Sequence, residues 1–383
     1  MTLTLGPVGR PEYLEFIERQ PASFLQCPSW AEVKHLWSAD HLGWRDEQGS
    51  LVGVALVLYR AFPLVGRSLA YVPEGPVVDW AAHAPRDVLG PLIAHVRARG
   101  AIALRIGPEL PVRRWHAETL KAAVGPGKRL ADVPADVTDP VAELLLKELA
   151  GTGWVRGGEH DGLYGSTMHS LRVELAGRTE QDVLRGMNQQ WRRAIRKAEK
   201  AGVVVETGGL DDLGDFYRLY AETARRDGFK PQTPEHFQRA WRALSAEAPG
   251  RIRLYLGRHE GEVLAAMLVV TVGDVAGYAY GGSASHRREV YPSNAVHWRI
   301  IRDLLAEGVT HYDLRGMADV LDPDHPGFGL VRFKLGTGGD AVELIGDWDL
   351  PLRPLLFRAF TAALPLRPAA AALRGRLRRV VRR

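Results

Sequence analysis

The sequence predicts a mixed α/β protein, α+β in type, made of two tandem copies of one supersecondary unit and followed by a basic tail. Three observations carry this expectation. The chain has 383 residues, more than the about 250 to 300 that one hydrophobic core usually fills. Two stretches about 200 residues apart repeat the same succession of apolar patterns, with strand, strand, amphipathic helix, glycine stop and strand in that order. The charges are segregated: residues 353–383 carry nine arginines and no acidic residue, so the net charge of +5 conceals a body at about −4.

Taken along the chain, "FLQCPSWAEVKHLW" spaces Trp30, Val33, Lys34 and Trp37 at i, i+3, i+4 and i+7, one face of a single helix. "EQGSLVGVALVLYR" is a charged turn entering an apolar strand, "SLAYVPEGPVVDW" a second strand, "LGPLIAHVRARG" a helix with a glycine stop, and "AIALRIGPE" the closing strand. The second copy reads "HEGEVLAAMLVVTVGD", "VAGYAYGGSAS", "NAVHWRIIRDLLAEG" and "VTHYDLRGM". Between the copies, "QDVLRGMNQQWRRAIRKAEKAGVVVE" predicts a basic helix over 188–201, ended at Gly202. "DLGDFYRLYAETARRDG" and "TPEHFQRAWRALSAE" predict two further helices, the second capped by Thr233. The expected units are therefore 1–165, 166–350 with the basic helix, and a tail at 351–383, with no low-complexity linker between the first two and a shared, clefted interface.

Composition narrows the chemistry. Cys27 is the single cysteine, which excludes an internal disulfide framework and a cysteine-based zinc site. The thirteen histidines show no HExxH or paired metal spacing, so no metal is expected. No arginine-led signal peptide and no run of about 18 apolar residues is present, and the expected setting is the cytoplasm. The tail "LRPAAAALRGRLRRVVRR" alternates aliphatic residues with arginines, the pattern of an interfacial helix. A basic tail that touches RNA is the other reading, and the first would bring the protein to the inner face of the cell membrane.

The repeated strand and helix order is the plan of the acetyltransferase-like (GNAT) fold. In that fold coenzyme A usually needs a glycine-rich loop whose N–H groups receive its pyrophosphate. The corresponding "SHRREVYPSNAVHW" has arginines and no glycine pair, which argues against that cofactor. Six segments, "FLQCPSWAEVKHLW", "AYVPEGPVVDW", "NQQWRRAIRKAEKAGV", "YAYGGSASHRREVYPSNAVHW", "GVTHYDLRGM" and "GLVRFKLGTGG", stand in the order and spacing of the FemABX family of aminoacyl-tRNA-dependent peptidyltransferases, and the chain resembles that family over residues 10 to 350. The resemblance implies two GNAT-like domains, here without the long coiled-coil arm of some members. It implies transfer of an amino acid from aminoacyl-tRNA, a co-substrate in place of a bound cofactor, to an amine of a muropeptide precursor, either lipid II or UDP-MurNAc-pentapeptide; a monomer is the expected state, which the sequence leaves open. Three alternatives remain at this point: the same transfer onto a small metabolite, a coenzyme A-dependent N-acyltransferase, and a non-catalytic tRNA- or lipid-binding protein.

Residues follow from both sources. Only eight of the 50 Lys and Arg side chains are lysines, and Lys334 in "RFKLGTGGD" is one. A compact ammonium suits a small oxyanion better than a planar guanidinium does. The resemblance places Phe333 and Lys334 beside the reacting ester, where a fixed cation contributes about 3 to 4 kcal/mol to an oxyanion; the plainer reading is a surface lysine at a strand end. Lys34 matches a family lysine on the acceptor diphosphate, and Trp37 shares its expected helix face. Tyr278 and Tyr280, alternating on a strand and so expected on one face, match residues lining the acceptor channel, with Tyr71 and Arg105 in comparable strand positions of the first copy; sheet packing is the competing reading of the tyrosine pair. Two departures from the family stand out. Gly107 replaces an aspartate suggested as a base, leaving Glu109 as the neighbouring carboxylate, and Gln232 replaces a phosphate-binding arginine, with Lys230 two residues away. The altered phosphate clamp favours the lipid-linked acceptor. Arg192, Arg193, Arg196, Lys197 and Lys200 on the basic helix are the tRNA-contact candidates, against the reading of a solvated charged helix.

Overall fold

A computed structural model of the chain describes residues 3–62, 66–157 and 168–363. The two copies fold as expected. In the first, the strands Leu51–Phe62 and Arg67–Val72 form a hairpin, the helix Pro85–Ala98 crosses over, and Ala101–Ile106 returns parallel to Arg67–Val72. In the second, Glu262–Val272 and Val275–Ser283 form the hairpin, Pro292–Ala306 crosses over, and His311–Gly316 returns parallel to the start of Val275–Ser283. A parallel return needs a crossover of a dozen or more residues, and each amphipathic helix supplies it. Gly100 and Gly308 follow the two helices at φ +80° and +75°, the left-handed conformation that ends a helix and that a side chain would strain.

The described strands assemble into an eight-stranded and a nine-stranded sheet, and these do not divide the chain at one point. Pro111–Trp115 and Val137–Thr138, from the first half of the sequence, extend the second sheet beyond Asp340–Leu344. Trp348–Pro351, expected at the junction of the second unit and the tail, sits between Ala101–Ile106 and Val155–Arg156 in the first sheet. Each sheet thus covers an otherwise open edge with chain from the other half. The interior repeats this sharing. Val54, Leu56 and Leu58 of the first sheet lie in one core cluster with Leu254, Leu256, Leu264 and Leu268 of the second, together with Phe24 and Trp30.

Two local expectations change. The helix at Trp30 is one turn long, Trp30–Val33, and Lys34 closes it with φ −88° and ψ +37°. Trp37 therefore does not continue the helical face; it is half-buried, with the Arg60 guanidinium 5.9 Å from its ring centroid. Lys334 belongs to the helix Phe328–Leu335 and is buried, neither on a strand nor at the surface. The basic helix runs Gln189–Lys200, with the Asn188 side chain accepting from the Trp191 amide, and Thr233 caps Pro234–Glu247 by accepting from His236. The tail begins as the helix Pro354–Ala363, and the arginine-rich stretch 364–383 lies outside the described residues.

The exchanged strand is held by a buried ion pair: Arg105 donates through Nε to Asp349 Oδ1 at 2.8 Å and through Nη2 to Oδ2 at 2.6 Å. Removing one partner of such a pair leaves an uncompensated charge. Asp349→Ala should lower unfolding free energy by about 3 to 5 kcal/mol, read by denaturant titration, and the joint change Arg105→Met with Asp349→Leu should recover most of the loss. A single variant as stable as the parent would contradict this role.

Candidate active site

The strand His311–Gly316 ends where the two sheets meet, and Arg315 turns out of it in the left-handed region at φ +57°. Glu74, in the turn after Arg67–Val72, has the same rare conformation at φ +49°. This conformation is uncommon for non-glycine residues, and both residues meet in one ion pair. Arg315 donates through Nη1 to Glu109 Oε1 at 3.0 Å and through Nη2 to Glu74 Oε1. The other Glu74 oxygen accepts from the Ser23 hydroxyl. Arg172 donates from Nε to Asp313 Oδ2 at 3.1 Å and stands 3.8 Å from Glu109 Oε1, while Asp313 Oδ1 accepts from the Ser170 hydroxyl.

These groups titrate differently. Burial raises the Asp313 carboxyl, but the Arg172 and Arg315 guanidinia outweigh it and hold the group below its ordinary value. Glu109 goes the other way, pushed up to about 7 by burial and by the charge on Glu74 against the pull of Arg315 and Arg172. It is the carboxylate of this cluster that changes charge near neutrality.

Lys334 reaches this cluster from the neighbouring helix. Its Nζ donates to the carbonyl oxygens of Leu314 at 2.8 Å, Arg315 at 2.9 Å and Gly316, so all three ammonium protons are held by the end of one strand. Burial lowers its pKa to about 8, with Asp313 pulling it up and Arg315 pushing it further down. It remains a cation at neutral pH. Phe333 is half-buried, its ring centroid 4.8 Å from that of Trp191 and 5.7 Å from that of His297, and its carbonyl accepts from Trp191 Nε1 at 2.7 Å.

Tyr278 and Tyr280 do not share a face. Tyr278 is opposite Val269 and Tyr280 opposite Leu268, so Ala279 is an extra residue that bulges the strand and breaks the period of two. Tyr278 packs at 5.3 Å on His297, on the Phe333 side. Tyr280 packs at 5.1 Å on Phe237 and its hydroxyl lies 3.2 Å from His236 Nε2, on the opposite side. His236, which no pattern in the sequence marks as part of a site, links Tyr280 to the acceptor candidates: its ring is 6.1 Å from Trp30, over which Lys34 Nζ sits at 5.5 Å. Burial lowers the Lys34 pKa and takes that of His236 down to about 4, with Lys34 and Arg239 adding to the latter. Farther out, Tyr220 is 6.1 Å from Tyr280 and its hydroxyl accepts from the Gln232 amide at 3.5 Å. Gln232 and Lys230 are exposed on this loop.

Tyr71 and Arg105 are adjacent across the parallel pair of the first sheet and buried; burial and the charges of Asp347 and Glu74 push the Tyr71 hydroxyl well up. On the basic helix, Arg193, Arg196, Lys197 and Lys200 are exposed. Arg192 is turned inward instead, donating through Nη1 to the Leu184, Arg185 and Met187 carbonyls at the end of the preceding helix. Among the described residues no group of three His, Cys, Asp or Glu side chains is placed to hold a metal ion. Arg315, Glu74 and Asp313 fall within the segments that carry the resemblance, yet nothing in their spacing distinguishes them; the pairing is made by strands far apart in sequence.

The arrangement joins a packed aromatic cluster around Phe333, a cation held at a strand end, and a line of contacts from Lys34 to Tyr280, with the Arg315 ion cluster among them. The sequence profile of the FemAB family matches residues 8–248, and that of the acetyltransferase (GNAT) domain matches residues 185–324. The lipid II:glycine glycyltransferase of Staphylococcus aureus (strain MRSA252) is 22% identical over 428 residues, covering 94% of this chain and 95% of that protein. Its namesake from Staphylococcus haemolyticus (strain JCSC1435) is 21% identical over 426 residues, with the same coverage. The crystal structure of FemX has the same fold, with a TM-score of 0.77 at 21% identity over 93% of this chain and 99% of that one. Both copies are thus GNAT-like, and among the described residues no helix exceeds 15 residues, so the fold has no coiled-coil arm there.

His297 supplies a pH test of this interior. Burial and the neighbouring Lys334 charge depress its pKa to about 3, below the ordinary value of about 6.5. The native state therefore keeps it neutral while the unfolded chain takes up a proton below about 6.5, and stability falls as pH drops from there towards 3. By pH 5 this one group should remove about 2 kcal/mol. In His297→Gln the decline of melting temperature between pH 7 and 5 should be shallower; parallel declines in the two proteins would contradict the assignment.

Proposed function

The chain belongs to the FemAB family and is a transferase, and on that footing we propose that it transfers an amino acid from aminoacyl-tRNA to an amine of the peptidoglycan-precursor stem peptide, with the lipid-linked precursor as acceptor. The observation that carries this reading is the buried Lys334 ammonium beside the Arg315 cluster, next to the aromatic cluster of Phe333, Trp191 and His297. The Phe333, Tyr278 and His297 side receives the aminoacyl ester. Lys34, His236 and Tyr280, with Lys230 and Gln232 outside them, take the acceptor, and Tyr71 and Arg105 shape the floor of the first sheet.

Attack of the acceptor amine on the ester carbonyl forms the new C–N bond and puts negative charge on the carbonyl oxygen; collapse breaks the ester C–O bond and returns the electron pair to the tRNA ribose oxygen, which takes up the proton lost by the attacking nitrogen. The Lys334 charge, little diluted by water, steadies that oxyanion. Its three carbonyl partners fix where the charge sits, so no reorganisation is needed as the reaction proceeds. A pyrophosphate-bearing donor is less well served. Before the helix Pro292–Ala306, the Val290 and Tyr291 amides donate to Arg287 and Arg288 carbonyls, and Pro292 has no N–H to offer.

No helix among the described residues is long and apolar enough to cross a membrane; the proposed place of action is the cytoplasmic face, as a monomer. The names of the relatives make glycyl-tRNA the first donor to try. Incubation with charged tRNAs and purified lipid-linked precursor should give a product heavier by one amino-acid residue, and turnover that needs acetyl coenzyme A but no tRNA would overturn the reading. Lys334→Met, if folded, should lower kcat by about 10² to 10³; unchanged turnover removes the residue from the mechanism. Replacing Arg193, Arg196, Lys197 and Lys200 together by glutamine should reduce the slope of log K for tRNA against log salt by about 3, while an unchanged slope leaves the helix as a solvated surface.

A further inference from the structure

A second cation-bearing feature lies away from the candidate active site. The helix Pro354–Ala363 seats Phe357 on Leu69 and Ala103 of the first sheet and packs Phe360 at a tilt against Phe62 with ring centroids 4.8 Å apart. That contact settles which way the helix faces, and it leaves Leu355 81% and Leu356 38% exposed, with exposed Arg353 and Arg358 beside them. Phe62 is also one wall of a cavity of about 270 Å³ lined by Ser38, Tyr59, Arg67, Ser68 and Arg99. The carboxylate nearest this cavity, Asp40, is already engaged by the Tyr59 hydroxyl at 2.9 Å, His95 Nε2 at 2.8 Å and Arg99 Nη2 at 3.2 Å. Among the described residues, no ion pair or side-chain hydrogen bond engages Arg67, Ser38 or Ser68. One uncompensated guanidinium and two hydroxyls in a concave site form a donor set for a phosphate monoanion.

We infer that this edge of the first sheet docks on an anionic phospholipid bilayer, with Leu355 and Leu356 entering the interfacial layer and the Arg67 cavity taking a lipid headgroup phosphate. Exposed leucines flanked by arginines are what an interfacial helix presents, and Phe62 makes the leucine-bearing helix and the cavity one continuous surface. Charge favours a bilayer as the occupant: the 31 residues from Arg353 to the end carry nine arginines and no carboxylate, which an anionic leaflet attracts. The helix covers the Leu69 and Ala103 side of the sheet, and alternation along these strands puts Tyr71 and Arg105 on that same side. A docked protein would hold that face close to a membrane-borne acceptor. The inference stands apart from the identity of the amino-acid donor.

Flotation of the full chain with vesicles tests it. Binding to phosphatidylcholine mixed two to one with phosphatidylglycerol should be at least about tenfold tighter than to phosphatidylcholine alone. Leu355→Ser with Leu356→Ser should weaken binding about tenfold and Arg67→Gln about fivefold, with melting temperatures confirming that both variants fold. Both should keep full transfer to a water-soluble acceptor fragment, so loss of docking is distinguishable from loss of catalysis. Equal binding to both vesicles, or binding that both variants leave intact, overturns the inference. Arg67-dependent binding of inorganic phosphate without vesicle binding overturns it too, making the cavity a soluble-anion site, and charged tRNA protecting Leu355 from a surface label in place of vesicles would assign the face to RNA.

Discussion

The Arg315 guanidinium holds the centre of the molecule together. It joins Glu74 and Glu109, both from the first half of the sequence, to a strand end of the second sheet, and both Arg315 and Glu74 lie in the left-handed backbone region. A cluster of three carboxylates and two guanidinia in a buried position is stable only while each charge has its partner. That requirement ties the alignment of the sheets to the electrostatics of the candidate site: a shift between them would strand charge as well as open their shared apolar core.

Lys334 completes this arrangement from outside. With its proton donors on three successive carbonyls, it holds the strand end that carries Arg315, and its charge brings the cluster to three cations against three carboxylates. Burial, with the same ammonium adding to it, depresses His297, so the aromatic cluster around Phe333 is kept neutral beside a fixed positive charge. Such a setting favours a substrate that is uncharged when it enters and becomes anionic at one atom as it reacts. The raised Glu109 adds a group near its midpoint at neutral pH, within the ion cluster that Lys334 borders.

The exchange of strands serves the same end. Trp348–Pro351 brings Asp349 to Arg105 in the first sheet, and Pro111–Trp115 extends the second. Each sheet takes in a strand from the other half, so the two are joined by continuous chain as well as by their shared core. The candidate residues on both sheets are therefore positioned by one fold.

The repeated hairpin, crossover helix and parallel return, the glycine stops, the Thr233 cap and the basic helix are all legible in the amino-acid order, because they follow from local periodicity and backbone preference. Lys334 stands out there too, through its rarity and its neighbours. What that lysine touches is settled only by folding, as are the departure of Trp37 from the helix face of Lys34, the bulge at Ala279 that sends Tyr278 and Tyr280 to opposite sides, and the inward turn of Arg192. Only folding joins Arg315 to Glu74, residues 241 positions apart. Ion pairs and bulges of this kind depend on which distant strands lie side by side, and no period in the sequence encodes that register.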